Sequence, residues 1–78
     1  MQNEKVYPIY RKLTNNRSYY KILNDREFEE IQVVGTRTMS YKHVAKQYPE
    51  ILFIQDLIDF SHSGIIQSNA FEFNELHK

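Results

Sequence analysis

Residues 6–23 read VYPIYRKLTNNRSYYKIL, two runs of β-branched and aromatic residues on either side of a polar turn signal. Such runs favour β-strands, and Pro8 is best tolerated at the edge of a sheet. Asparagine accepts a positive φ, so the pair Asn15-Asn16 predicts a two-residue type I′ turn. The stretch therefore predicts a β-hairpin with this turn at its tip.

The register of this turn divides the side chains of the hairpin between two faces of the sheet. Ile9 is expected opposite Ile22, and Leu13 opposite Ser18. One face is mostly apolar and is expected to face the core: Tyr7, Ile9, Leu13, Tyr20 and Ile22. The other, which we call the basic-aromatic hairpin face, is expected to be solvated: Tyr10, Lys12, Arg17, Tyr19 and Lys21.

A second hairpin is expected around Gly35. A two-residue loop there would place Val33 opposite Thr38, so that apolar side chains would face polar ones. A three-residue loop, residues 35–37, places Val33 opposite Met39 and lets like side chains share a face. We therefore predict the three-residue loop, with a bulge.

The predicted elements are strands 6–13, 18–23, 28–34 and 38–44, a main helix 49–60 and a short helix 69–76. The expected fold class is α+β, a four-stranded antiparallel β-meander packed against one main helix, with a short C-terminal helix. Residues 65–66 are either an apolar linker or a fragment of a fifth strand. The whole chain, 1–78, is expected to form one small domain.

The main helix carries more apolar side chains than a single buried stripe needs. Ile51, Ile54 and Ile58 recur at helical spacing, whereas Phe53 and Phe60 lie away from them. Phe53 and Phe60 either belong to the core, under the C-terminal segment, or form a surface for a protein partner.

Charge is distributed unevenly, although the formal net charge is +0. Residues 1–26 contain six cations and two anions, a balance of +4, whereas residues 47–78 contain one cation and five anions, a balance of −4. The pattern fits either a basic surface for an acidic partner or two parts that complement each other, within one copy or across a dimer.

Motifs for catalysis and cofactor binding are missing from the sequence. The chain has no cysteine, and His43, His62 and His77 lack the spacing of metal ligands; a local partner for His62 is Asp59 alone. Without a glycine-rich phosphate loop or a nucleophile motif, we expect no enzymatic activity, metal, cofactor or small-molecule substrate. No apolar run approaches the roughly 20 residues of a membrane helix, so we expect a cytoplasmic protein without membrane contact.

Two functions from different classes remain. The first is a small intracellular interaction module that self-associates, for example as a homodimer, or binds a protein partner, with Phe53 and Phe60 as candidate interface residues. The alternative is a single-stranded nucleic-acid-binding module, in which the rings of the basic-aromatic hairpin face stack on bases and its cations neutralise phosphates. The same face also fits simple cross-strand stabilisation. No residue pattern identifies a family of known activity.

Overall fold

The computed structural model describes residues 6–76. Its elements in chain order are β1 (Ile9–Leu13), β2 (Ser18–Asn24), β3 (Glu27–Val34), β4 (Arg37–Val44), α1 (Tyr48–Asp59), β5 (Ile65–Gln67) and α2 (Ala70–Leu76). The strands form one antiparallel sheet in the order β4-β3-β2-β1-β5. The predicted α+β class and four-stranded meander are confirmed, and the segment left open at residues 65–66 belongs to a fifth strand.

The first hairpin has the predicted register but a different turn. Ile9 lies opposite Ile22. A type I′ turn needs a positive φ at both central residues, and within residues 14–17 Asn16 alone has one, of 59°. The N–H of Asn16 donates to the carbonyl of Leu13 at 2.9 Å. The strands are thus joined by a four-residue loop, and the register survives because this loop also has an even number of residues.

The three-residue loop predicted at Gly35 is wrong. Val33 lies opposite Thr38, so the loop consists of Gly35 and Thr36 only. Gly35 has a φ of 64° and Thr36 does not have a positive φ, the pattern of a type II′ turn, whose twist matches that of paired strands. The side-chain argument failed because β4 is exposed along nearly its whole length, so mixing apolar and polar side chains there costs little.

The larger core lies between α1 and one face of the sheet, which we call the α1 face. Its buried members come from β2, β3, α1, β5 and the position after β4: Tyr20, Ile22, Phe28, Ala45, Ile54, Leu57, Ile58 and Ile65. The helical members recur at spacings of three and four, which places them on one side of α1. Packing of this stripe fixes α1 across β1 and β2.

The helix α1 begins and ends one residue earlier than the predicted range 49–60. At its start, the Glu50 carboxylate accepts the backbone N–H of Gln47 at 3.0 Å, as in a capping box. At its end, Asp59 is the last helical residue and Phe60 takes the left-handed conformation, with a φ of 56°. A non-glycine residue therefore makes the C-terminal cap, ahead of Gly64.

The short helix α2 lies on the opposite face of the sheet, which we call the α2 face. Tyr10 and Arg11 are consecutive in β1 and point to opposite faces. Arg11 reaches a carbonyl of α1 at Leu57, whereas the ring of Tyr10 lies 5.8 Å from the ring of Phe73 in α2. Phe73 and Ile31 are buried, and both lie on the α2 face. Each face of the sheet is thus partly covered, by a different helix on each.

Neither helix within residues 6–76 has the length and apolar character needed to cross a membrane.

Candidate functional site

The basic-aromatic hairpin face is partly covered by α2 instead of being solvated. Lys12 Nζ lies 2.9 Å from Glu72 Oε2, and the Lys12 side chain is only 16% exposed. The same Nζ lies 5.8 Å from the centre of the Tyr19 ring. Tyr10 packs against Phe73. Two of the five predicted residues are therefore turned towards α2, while Arg17 is exposed and Lys21 is half-buried.

Glu72 joins α2 to β1 and to the segment just before α2 through two side-chain contacts. One carboxylate oxygen accepts a hydrogen bond from Ser68 Oγ at 2.6 Å, and the other pairs with Lys12. These hydrogen bonds, with that of Ser68 the larger influence, lower the pKa of the Glu72 carboxyl. Asn69 caps the helix, because its side-chain oxygen accepts the backbone N–H of Glu72 at 2.9 Å. The cluster stabilises the position of α2 over the hairpin.

Phe53 and Phe60 lie at separate places along α1, and each has a partner within the chain. The Phe53 ring lies 5.7 Å from the ring of Phe28 and stays 38% exposed. The Phe60 ring lies 4.0 Å from the guanidinium carbon of Arg11 and is 45% exposed. Because α2 is on the other face, it covers neither ring. The two phenylalanines border different surfaces instead of forming one patch.

β4 is the most exposed strand of the described sheet. Within residues 6–76, β4 has a neighbouring strand, β3, on one side only. Its side chains on the α1 face include Met39, Tyr41 and His43, since Tyr41 lies opposite Glu30. Met39 and Tyr41 are exposed although they are apolar or aromatic. The described sheet therefore ends in an eight-residue strand that is exposed at every residue except His43.

The outer edge of β4 presents unpaired backbone groups at alternate residues. The N–H of Ala45 donates to the carbonyl of Arg26 at 2.7 Å, across the β3 side of the strand. Backbone groups in an antiparallel pair alternate in direction, so the odd-numbered residues of β4 bond to β3. The even-numbered residues then point their N–H and C=O groups outward: Thr38, Ser40, Lys42 and Val44.

A cleft borders this edge between β4, β3 and the first turn of α1. Its volume is about 470 Å³. Its walls are mainly apolar and are formed by Phe28, Glu30, Lys42, His43, Val44, Ala45, Pro49, Glu50 and Phe53. The cleft lies on the α1 face, so Phe53 is the one predicted interface residue that contributes to it.

His43 and Glu30 form the polar side of the cleft. The His43 ring stacks on Phe28, with the ring centres 4.6 Å apart and the planes at 19°. Its Nε2 lies 3.1 Å from Glu30 Oε1. The sequence analysis missed this pair because the three-residue loop would have placed Lys42, not Tyr41, opposite Glu30. The observed two-residue loop puts His43 opposite Phe28, and that register was the signal that could have revealed the cleft.

The histidines do not assemble a metal site in the part of the chain that the structure describes, where no three histidine or acidic side chains converge. His62 Nε2 lies 3.4 Å from Asp56 Oδ2, and His77 lies outside the described residues.

No protein-family model matches the chain, and no similar chain was found among curated proteins or among solved structures.

Proposed function

We propose that this chain is a small protein-interaction module that binds an extended segment of another chain along the outer edge of β4. The observation that carries the proposal is the row of outward-facing backbone groups at residues 38, 40, 42 and 44. Addition of a strand to such an edge supplies affinity through backbone hydrogen bonds, while pockets for alternate side chains supply specificity.

The length and exposure of β4 support this proposal. Edge strands are usually short, covered or distorted, because an unpaired edge invites other strands to pair with it. β4 has eight residues, and within residues 6–76 no strand pairs with its outer edge. Met39 is 48% exposed and Tyr41 39% exposed, so an added strand would bury apolar surface as well as pair backbone groups.

Phe53 belongs to this proposed interface, and Phe60 does not. Phe53 lines the cleft beside His43, next to the edge where the added strand would run. Phe60 stacks on Arg11 of β1, and three strands separate β1 from the outer side of β4. A partner on the β4 edge would therefore contact Phe53 first.

The decisive experiment is a proline substitution at Ser40. Its N–H faces outward, so Ser40→Pro removes a donor from the edge without removing a bond to β3, and proline is tolerated on edge strands. A phage-displayed library of random peptides is selected against the wild-type chain and the variant. We expect the peptides enriched on the wild type to bind Ser40→Pro at least about tenfold more weakly, as expected from loss of one to two edge hydrogen bonds.

Amide hydrogen exchange provides a readout that does not depend on the fold of the variant. The enriched peptide should slow exchange at Ser40 and Lys42, whose amides face outward, and change Met39 and Tyr41 less, because these already bond to β3. Peptides that bind Ser40→Pro as well as the wild type, or that leave the Ser40 and Lys42 amides unprotected, would overturn strand addition at this edge.

A further inference from the structure

We infer that the segment which pairs with β4 alternates apolar with acidic residues, with its apolar side chains on the α1 face and its acidic side chains on the α2 face. The inference rests on the proposed strand addition and specifies the chemistry of the partner. Because side chains of a strand alternate between the two faces of a sheet, the two faces of β4 can be considered separately.

The α1 face at the edge is suited to apolar side chains. Met39 and Tyr41 are exposed there and would lie beside every second residue of the added strand. The cleft that continues this surface is walled by Phe28, Phe53 and Pro49. Its volume of about 470 Å³ is sufficient for one large side chain. An apolar residue next to His43 would therefore find a pocket on this face.

The α2 face at the edge is suited to acidic side chains. Lys42 lies on this face between Ser40 and Val44, opposite Glu29 of β3. Within residues 6–76, Lys42 forms no ion pair with Glu29 or with any other carboxylate. Residues 31–49 contain three cations and no anion. An acidic residue on the added strand would thus meet a lysine that lacks a close partner.

Charge also argues against a second copy of the same strand as the occupant. Pairing β4 with β4 of another copy would bring two copies of Arg37 and Lys42 onto adjacent strands, with no acidic residue on either. Like charges directly opposite each other on paired strands are destabilising, and lysine on an edge strand is a common guard against pairing of identical chains. The same lysine that opposes self-pairing attracts an acidic strand.

The test uses three capped peptides of equal length. In the first, glutamate alternates with leucine or phenylalanine; in the second, lysine replaces every glutamate; the third contains the residues of the first in scrambled order. Binding is measured by the changes in amide ¹⁵N and ¹H shifts on titration of the labelled chain. We expect the glutamate peptide to bind about five- to tenfold more tightly than the lysine peptide, with the largest changes in β4 and at Phe53, and the scrambled peptide to bind more weakly than the first.

Charge reversal at Lys42 separates this inference from the proposed function. Lys42→Glu should reverse the preference in favour of the lysine peptide, whereas the control Lys46→Glu, which makes the same charge change beyond the end of β4, should leave the order unchanged. If Lys42→Glu also leaves the order of affinity of the two peptides unchanged, the inference that the partner segment is acidic is overturned.

Light scattering at two concentrations gives the absolute mass in solution and tests whether a second copy of the chain pairs with β4. A dimer of the wild-type chain that becomes a monomer in Ser40→Pro would keep strand addition but identify a second copy as the partner, which overturns the acidic segment. A monomer in both cases, together with the expected peptide preference, supports the inference. Failure of Ser40→Pro to weaken any of these associations would overturn the proposed function itself.

Discussion

Arg11 donates from Nε to the backbone carbonyl of Leu57 at 2.9 Å and so ties strand β1 to the last turn of α1. A second guanidinium nitrogen donates to the carbonyl of Ile58 at 3.0 Å. The last turn of α1 contains no basic residue of its own, yet a cation is favoured at the negative end of a helix. A residue of the sheet therefore supplies the positive charge that the helix lacks.

We expect Arg11→Met to lower the free energy of unfolding by about 2–3 kcal/mol, because charged hydrogen bonds to partly buried carbonyls are lost while the packed stem is retained. The measurement is urea denaturation followed by circular dichroism. Arg17→Met, at an exposed loop position, should change stability by no more than about 0.5 kcal/mol. Equal effects of the two substitutions would contradict the capping role of Arg11.

A second prediction concerns Phe60, because its backbone φ of 56° is a conformation that favours glycine. Both Phe60→Gly and Phe60→Ala remove the ring from Arg11, but only glycine relieves the left-handed backbone. We expect the glycine variant to be more stable than the alanine variant by about 1 kcal/mol. At Asp59, the last residue with helical geometry, the order of stability should be reversed. Asp59→Ala should be more stable than Asp59→Gly, since alanine is favoured within a helix. Alanine more stable at both positions would mean that the helix continues past residue 59.

Gly35 tests the two-residue loop that the side-chain pattern failed to predict. A Cβ at Gly35 would meet no atom within 4 Å, so the cost of Gly35→Ala comes from the φ of 64° alone. We expect a loss of about 1–2 kcal/mol in unfolding free energy. Gly64→Ala is the matched control, because Gly64 also has open space around the Cβ position but no positive φ. A neutral result at Gly35 would indicate that this turn adopts another geometry in solution.

The contrast between the two hairpins shows where side-chain patterns predict register. The hairpin of β1 and β2 lies beneath α1, where a slip by one residue would move Ile22 out of the core. In the hairpin of β3 and β4, every residue of β4 except His43 is exposed. Burial therefore penalises a wrong register in the first case and not in the second, where turn geometry at Gly35 decides instead.

The candidate site was harder to predict for the same reason. The cleft depends on His43 lying opposite Phe28, and this pairing follows from the loop that was predicted incorrectly. The position of α2 over Tyr10 could not be predicted from the sequence either. A seven-residue helix with one buried residue, Phe73, has no pattern that selects one face of a sheet.

Glu72 makes the position of α2 sensitive to acid. Hydrogen bonds, first from Ser68 and then from Lys12, lower the pKa of the Glu72 carboxyl in the folded chain below its ordinary value of 4.5. A depressed pKa means that the stabilisation is fully present above the ordinary value and is lost as the pH falls through the lower, folded-state value. We expect the ring resonances of Tyr10 and Phe73 to report loosening of α2 as the pH is lowered below 4.5.

The acid response should depend on Glu72 itself. Glu72→Gln should weaken the contact of α2 already at neutral pH and flatten its response to acid, because the neutral side chain keeps its size but no longer titrates. Glu29→Gln makes the same charge change on the sheet, away from Lys12, and should leave the acid response of the Tyr10 and Phe73 resonances intact. A response that persists in Glu72→Gln would assign the sensitivity to another carboxyl.

The nucleic-acid alternative can be tested by binding of single-stranded oligonucleotides to the basic-aromatic hairpin face. Lys12 is paired with Glu72 and Tyr10 is packed on Phe73, so we expect the wild-type chain to bind single-stranded oligothymidylate weakly and Lys21→Ala to bind it no more weakly. Fluorescence anisotropy at two salt concentrations measures this, because neutralised phosphates make affinity fall with salt. Tight binding that decreases with salt and is lost in both Tyr19→Ala and Lys21→Ala would contradict this expectation. In that case Glu72→Gln should bind the oligonucleotide more tightly than the wild type, because Lys12 loses its acidic partner and can face a phosphate instead.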